Sequence, residues 1–259
     1  MSFFRFAGFL RAVLAPALVL FALFAGPAAV AQQASEPFTP EQKKALETLV
    51  HEILVKNPEI LVDAMHALDA RQQEQAAQAS RAAIAANAKE VFNDGHSFVA
   101  GNPKGDVTIV EFFDYRCPYC KQMQPHLQAL LKEDGKIRLI LKELPVLGPD
   151  SVLASRAAVA ALAQQKGTRY YAFHDAMMGF HGQLTEAEVF RMAGEAGLDV
   201  TALKADMEDP RVEQALRANL ALAQKLGIEG TPGFIVGGEL IPGAVSLDSL
   251  RQLVKQARG

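Results

Sequence analysis

The sequence predicts an α/β fold with an all-helical insertion, preceded by an N-terminal helical stalk. A strand-like run at 107–113 is followed by a helical pattern to about Lys132 and then by a second strand-like run at 137–142. This order implies two parallel strands joined by a right-handed crossover. Strand patterning is absent from the sequence between about 150 and 226, and nearly everything before residue 94 is helical in pattern.

The first 31 residues have the pattern of a cleaved export signal. Arg5 and Arg11 lie at a basic end, an apolar run occupies 12–26, and Ala29-Val30-Ala31 supplies the small side chains of a cleavage site. A membrane anchor is the weaker alternative, because the apolar run is short for a span. We therefore predict an exported protein that works in an oxidising compartment.

The balance of basic and acidic side chains limits the classes of molecule that we expect the protein to bind. The chain carries 26 basic and 29 acidic side chains, and removing the two arginines of the leader leaves 24 basic ones. A mildly acidic balance without a basic block argues against nucleic acid as a partner and favours protein substrates. The length suits one domain of moderate size with an appendage, or two small domains.

Two amphipathic helices are predicted in the segment 32–93. Thr39-Pro40-Glu41-Gln42 places a capping Thr, a first-turn Pro and a box-completing Gln in order, and Asn57-Pro58-Glu59 starts a second helix in the same way. Apolar residues recur at three- and four-residue steps in both helices, at Leu46, Leu49, Val50, Ile53 and Leu54 and at Leu61, Ala64, Met65 and Leu68. We predict that this segment forms a homo-oligomer, with packing on the body of the same chain as the alternative.

The catalytic domain is predicted at 94–259, with its helical insertion at about 150–226. Strand patterning returns at 233–241, where two apolar runs flank a Gly-Gly turn and predict a hairpin. Ser246 then caps a final amphipathic helix.

The only two cysteines, Cys117 and Cys120, lie three residues apart directly after the first predicted strand. Cys117 therefore starts a helix, where unpaired N–H groups and the helix dipole stabilise a thiolate. We predict that Cys117 is an exposed nucleophile and that Cys120, one turn further on, is a buried resolving thiol. Pro118 pre-sets the first helical turn, and Tyr119 adds bulk without charge.

Other roles for this cysteine pair have weaker support. A structural disulfide between them would close almost no loop and would stabilise little. A closed zinc site needs four N or S ligands, and the six histidines are scattered along the chain. A copper carrier is the alternative function, because paired thiolates suit Cu(I). We predict no resident metal and no dissociable cofactor.

The run from Glu111 to Cys120, the later Thr231-Pro232-Gly233-Phe234 and the helical block between them resemble the DsbA-like thiol-disulfide oxidoreductases of the bacterial periplasm. The likeness covers about 100–258. The C-P-Y-C dithiol, the Thr before the later proline and the extra N-terminal helices resemble the ScsC branch, some members of which are homo-oligomers held by that segment. The resemblance implies a thioredoxin-like fold, unfolded or misoxidised exported proteins as substrates, and a membrane redox partner.

The resemblance also implies roles for three further residues. Thr231-Pro232 resembles a cis-proline loop that faces the dithiol and pairs its backbone with a substrate strand, whereas a trans proline that opens a strand is the alternative. Glu111 matches a buried acid that exchanges a proton with the resolving thiol, and an outward-facing strand residue is the alternative. Asp114, nearer the loop, is expected to be exposed.

Substrate contact and reaction direction complete the predictions. The residues expected to bind substrate are Pro118, Tyr119, Thr231 and Pro232, with an apolar contact surface around Phe113, Tyr115, Tyr119 and Phe234. Tyr119 stands where the most oxidising relatives have a histidine that stabilises the thiolate. A histidine that stabilises the thiolate stabilises the reduced form, and a protein with a stabilised reduced form is a strong oxidant. The absence of that histidine therefore favours an isomerase or a reductase.

Overall fold

The computed structural model describes residues 37–164 and 167–259, so the predicted leader at 1–31 lies outside the described residues. The described chain forms two compact units, 37–61 and 62–259. The first unit holds helix α1 (Pro40–Lys56) and the start of α2 (Glu59–Ala86). Among the described residues, none of the helices is long and apolar enough to span a membrane.

Helix α1 begins at the predicted capping box. The Thr39 hydroxyl accepts the N–H of Gln42 at 3.2 Å, and the Gln42 side chain accepts the N–H of Thr39 at 2.9 Å. These two bonds satisfy backbone donors that have no partner inside the helix.

The second unit contains a five-stranded mixed sheet in the order β1-β3-β2-β4-β5. The strands are β1 (Phe98–Gly101), β2 (Val107–Phe113), β3 (Ile137–Glu143), β4 (Gly233–Val236) and β5 (Glu239–Pro242). Strands β2 and β3 are parallel and are joined by α4 (Pro118–Glu133), which confirms the predicted crossover. The other neighbouring strands are antiparallel. The sequence did not predict β1, a short edge strand of four residues.

The helices outside the first unit follow the predicted order. They are α3 (Ala88–Phe92), α5 (Pro149–Ala163), α6 (Gly167–Gly179), α7 (Glu186–Glu195), α8 (Val200–Asp206), α9 (Pro210–Lys225) and α10 (Leu247–Arg258). Helices α5 to α9 lie consecutively between β3 and β4, which confirms the all-helical insertion within the described chain. The predicted hairpin is also present, with Gly237 and Gly238 at φ values of 58° and 88°, as the tight turn between β4 and β5 requires.

Each face of the sheet buries its own apolar core. Alternate residues of β2 point to opposite faces, so Ile109 packs with α4, α10 and the insertion, whereas Val110 packs with the ends of α2, α3 and α9. Ile84 of α2 and Val91 of α3 are buried in this second core. The end of the segment 32–93 is therefore part of the second compact unit.

Candidate active site

The dithiol lies where β2 ends and α4 begins. Cys117 is the N-cap of α4, and Pro118 occupies the first helical position, where its missing N–H leaves no bond unmade. Both cysteines are free thiols. Cys120 is fully buried in the first turn, while Pro118 and Tyr119 between them are exposed, Tyr119 by 61%.

The loop before β4 covers the first sulfur. The peptide bond between Thr231 and Pro232 is cis, and the Cys117 thiol donates to the Thr231 carbonyl oxygen at 3.1 Å. The pairing of Gly233 with Phe112 in the neighbouring strand carries this loop to the end of β2. Thr231 is half-buried and Pro232 is buried.

The expectation of an exposed Cys117 was wrong. The residue is 4% exposed, because its side chain lies against the Thr231 carbonyl and at the start of α4. The sequence shows that Cys117 lies at a helix terminus. It does not show which loop covers the sulfur, because that loop lies 114 residues further along the chain.

The two sulfurs have opposite electrostatic environments. A hydrogen bond from the Cys120 thiol lowers the pKa of Cys117 to about 5, with help from the Thr231 side chain and the N–H groups of Cys120 and Tyr119 and against the effect of burial. Burial raises the pKa of Cys120 far above its ordinary value, and the hydrogen bond to Cys117 and the charge of Glu111 raise it further. Near neutral pH the arrangement therefore holds one thiolate and one thiol.

Glu111 faces α4 from beneath. Period-2 alternation places it on the same face of β2 as Ile109, and it is fully buried between Leu141 and Phe234 of the neighbouring strands. Neither carboxyl oxygen has a hydrogen-bond partner among the described residues. Burial, followed by the charge of Cys117, raises the pKa of Glu111 to about 8. The carboxyl is therefore mostly protonated at neutral pH while Cys117 is a thiolate.

The expected exposure of Asp114 was also wrong. Asp114 is fully buried and organises the turn before the dithiol. Its carboxylate accepts the N–H groups of Arg116 at 2.7 Å and Val146 at 2.8 Å and the hydroxyl of Ser151 at 2.7 Å. Burial without these donors would be costly, and the sequence does not show that they converge here.

Most of the aromatic side chains expected to form a contact surface around the dithiol are buried. Phe113, Tyr115 and Phe234 are fully buried in the core, and only Tyr119 is exposed. Sequence proximity to a cysteine does not determine the direction of a side chain, because residues on either side of a turn join different faces.

The sequence analysis missed three polar residues that connect α4 to α6, which are His174 on α6 and Lys121 and Gln124 on α4. His174 on α6 is fully buried and contacts Tyr115 and Gln124. The ammonium of Lys121 donates to backbone carbonyls at the end of α6. No local pattern could reveal these contacts, because the partners lie 50 or more residues apart. In the described part of the chain, no cluster of three or more His, Cys, Asp or Glu could hold a metal ion.

Family comparisons agree with this geometry. Residues 108–255, more than half of the chain, match the DSBA-like thioredoxin domain. The chain belongs to that family. Residues 42–75 match a second model, the copper resistance protein ScsC N-terminal domain. The two matches together confirm the resemblance to the ScsC branch.

Solved structures of similar proteins cover the same regions. A thioredoxin-like oxidoreductase from Silicibacter pomeroyi is 48% identical, with a TM-score of 0.63 over 66% of this chain and 96% of that one. Proteus mirabilis ScsC in a transitional conformation is 31% identical, with a TM-score of 0.62 over 85% and 97%. A periplasmic thioredoxin-like protein from Salmonella enterica is 35% identical, with a TM-score of 0.61 over 65% and 94%.

Curated relatives match through the same domain. The Na(+)/H(+) antiporter NhaA 3 of Salinispora tropica is 29% identical over 161 residues, which are 61% of this chain. This chain spans about a quarter of the length of the first curated relatives it matches. The probable disulfide bond formation protein D of Bacillus anthracis is 28% identical over 60% of this chain and 75% of that protein.

Proposed function

We propose that this protein is an exported enzyme that forms, reduces or isomerises disulfides in other proteins through a mixed disulfide at Cys117, and that it favours isomerisation and reduction. The observation that carries the proposal is the position of Cys117 as the N-cap of α4 beside the cis Thr231-Pro232 loop, where neighbouring donors lower the pKa of its thiol. The thiolate is the attacking species in disulfide exchange.

In the first step, the Cys117 thiolate attacks one sulfur of a substrate disulfide. The substrate S–S bond breaks, a Cys117–substrate S–S bond forms, and the other substrate sulfur leaves as a thiolate that takes a proton from solvent. A pKa near 5 keeps Cys117 ionised at neutral pH without an external base. In isomerisation, a different substrate thiolate attacks the mixed disulfide and returns Cys117 to its starting state.

In reduction, Cys120 attacks the sulfur of Cys117 and must first lose a proton. We assign the acceptor as Glu111, whose charge is close enough to raise the pKa of Cys120. Once Cys117 is in the mixed disulfide, its charge no longer raises the pKa of Glu111, so the carboxyl ionises more readily. The Cys117–Cys120 disulfide then forms, the second substrate sulfur leaves, and two electrons have passed to the substrate. The reverse sequence forms a substrate disulfide.

Substrate contact is assigned to Pro118, Tyr119, Thr231 and Pro232. Tyr119, which lies between the two cysteines in the sequence, is a large exposed side chain, and Thr231 presents its backbone carbonyl to the Cys117 sulfur. Tyr119 supplies no positive charge to the thiolate. This lack supports a direction toward isomerisation or reduction, in which a membrane redox partner keeps the dithiol reduced. Unfolded or misoxidised proteins of the periplasm are the proposed substrates.

The first compact unit is proposed to assemble copies of the chain. Residues 42–75 match the ScsC N-terminal domain, and the apolar side chains of Leu46, Leu49 and Ile53 on α1 are each 42–52% exposed. A helix with an uncovered apolar face gains stability when that face is buried against another copy.

A periplasmic copper carrier is the second candidate. It is favoured by the description of the family model that matches 42–75, which names copper resistance, and by the soft thiolate of Cys117. The high pKa of Cys120 opposes it, because Cu(I) needs both sulfurs deprotonated. Tight copper binding by the reduced protein without disulfide exchange would favour the carrier.

Replacing Cys117 by Ser tests the proposed enzyme. We expect Cys117→Ser to lose insulin reduction by about 100-fold or more, because a hydroxyl is not ionised near neutral pH. Cys120→Ser is the matched control, since it keeps the attacking thiolate and should accumulate a mixed disulfide with substrate. Full insulin reduction by Cys117→Ser would reject the mechanism.

A further inference from the structure

We propose that His174 is a positioning residue for the thiol pair, because one buried imidazole holds the chain on both sides of the dithiol. The proposal rests on the function assigned to Cys117 above and adds a residue of the helical insertion to it. Tyr115 precedes Cys117 by two residues, and Gln124 follows Cys120 by four. His174 contacts both.

The hydrogen bonds of His174 fix its tautomer. Burial lowers the pKa of His174 to about 3, so the ring is neutral in the physiological range. Its Nδ1 lies 3.1 Å from the Tyr115 hydroxyl, and its Nε2 lies 3.4 Å from Oε1 of Gln124. The amide oxygen can only accept, so Nε2 carries the proton and Nδ1 accepts from the tyrosine.

The network is enclosed. His174 and Tyr115 are fully buried and Gln124 is 7% exposed. The Phe113 ring meets the imidazole edge-on, with 5.1 Å between ring centroids. A buried polar chain with every member bonded resists displacement, since any shift leaves a polar atom without a partner.

Helix α6 holds α4 at two more points. The Gln124 amide donates to Asp175, the neighbour of His174. The Lys121 ammonium donates to the carbonyl oxygens of Met177 at 3.0 Å and Phe180 at 2.6 Å. The first two turns of α4 are therefore attached to the helical insertion by side-chain hydrogen bonds as well as by apolar packing.

The same first turn supplies three of the groups that lower the pKa of Cys117, and the Thr231 side chain supplies a fourth. The Cys120 thiol and the N–H groups of Tyr119 and Cys120 all point to its sulfur. Their directions depend on how the start of α4 is held against the end of β2, where Tyr115 follows. Loosening the histidine network should move these donors away from the sulfur and reduce the thiolate fraction of Cys117.

Alkylation of reduced full-length protein by iodoacetamide at pH 5 tests this, because the rate follows the thiolate fraction of Cys117 there. We expect His174→Phe, which keeps an aromatic ring and removes both nitrogens, to lower the rate at least threefold at pH 5 and to leave it near wild type at pH 9. Tyr115→Phe should give a similar loss, and the double variant should add little. His174→Gln, which offers one acceptor and one donor, should restore at least half of the wild-type rate.

The controls separate this inference from the proposed enzyme. Tyr171→Phe removes a hydroxyl from a ring stacked on the same imidazole and should leave the rate unchanged. If His174→Phe does not fold, Tyr115→Phe, which loses one oxygen atom, decides the question. Wild-type rates in both single variants, or an equal loss in Tyr171→Phe, would overturn the positioning role alone. A wild-type Cys117 no faster than free cysteine at pH 5 would overturn the enzyme itself.

Discussion

Helix α1 and the second compact unit (62–259), the sheet unit, differ in which side chains they expose and which they bury. Leu49 and Ile53 of α1 are 52% and 42% exposed, whereas the sheet unit buries Glu111, Lys142 and His174 completely. Apolar exposure leaves hydrophobic stabilisation unrealised, and burial of ionisable groups opposes folding unless other groups compensate. The difference teaches that the apolar face of α1 would gain stability from a partner surface, while Lys142 and His174 depend on their specific hydrogen-bond partners.

The largest expected effect concerns the partner surface of α1. In the double variant Leu49→Lys/Ile53→Lys, two charges would lie in any interface formed by that face, so assembly should be lost. Light scattering of the mature chain should then give the mass of one chain per particle. The rate of Cys117 alkylation should stay at its wild-type value, because the dithiol is in the other unit.

His51→Lys is the matched control for this assembly test. His51 lies on the opposite side of α1 from Leu49 and Ile53 by helical spacing, so its charge should leave the mass unchanged. A wild-type mass of one chain, or an unchanged mass in the double variant, would remove the role of α1 in assembly.

A smaller but still large effect is expected at the buried ion pair of the sheet unit. Lys142, whose side chain is 0% exposed, pairs with Asp94. Burial alone would raise the pKa of Asp94, but the charge and hydrogen bond of Lys142 and the hydrogen bonds from Ser97 together outweigh it and lower the pKa to about 2. Lys142→Met would remove the ammonium partner of that carboxylate and should reduce the free energy of unfolding by about 3–5 kcal/mol in urea titration.

The exposed pair on α1 provides the contrast. Lys56 and Glu52 pair with side chains 70% and 51% exposed, so Lys56→Met should cost about 0.5 kcal/mol or less in the same titration. Equal losses in the two variants would contradict the claim that burial decides the value of an ion pair here.

A smaller effect than at the buried ion pair is expected from the titration of Glu111. Its pKa of about 8 in the folded protein exceeds the ordinary value of 4.5, so the folded state holds a proton that the unfolded state releases between these values. Stability from this group is complete below pH 4.5 and is lost as the pH rises toward 8. The amide side chain in Glu111→Gln has no titratable proton, so this variant lacks the pH dependence.

Urea titrations of the protein with a Cys117–Cys120 disulfide measure how stability depends on the ionisation of Glu111, because that form has no Cys117 thiolate. From pH 5 to pH 7 the wild-type protein should lose about 1–3 kcal/mol more stability than Glu111→Gln. Parallel curves for the two proteins would show that Glu111 ionises normally in the folded state.

Local patterns predicted much of the fold. The apolar run at 107–113 gave the bounds of β2 as the structure has them, and the capping residues Thr39 and Ser246 start α1 and α10. These signals depend on hydrogen bonds and periodicity within a few residues. The edge strand β1 was missed because four residues are too few to show a period of two, whereas the equally short β4 and β5 are marked by the Gly-Gly turn between them.

Burial around the dithiol was less predictable. Asp114 and Tyr115 look like loop residues in the sequence, yet both are fully buried, because their partners Ser151 and His174 come from the helical insertion. The length of the insertion and its helical character can be predicted from the sequence. The pairing of a buried hydroxyl with a particular imidazole depends instead on how two helices meet.

The sequence by itself determined the pair Cys117 and Cys120, their place at a helix start and the strand that carries Glu111, since each depends on neighbours along the chain. Only the tertiary structure decided that the Thr231 carbonyl covers the first sulfur, that Glu111 is buried without a partner among the described residues, and that His174 links both sides of the dithiol. Those features depend on distances between residues far apart in sequence, which only the packed sheet and helices fix.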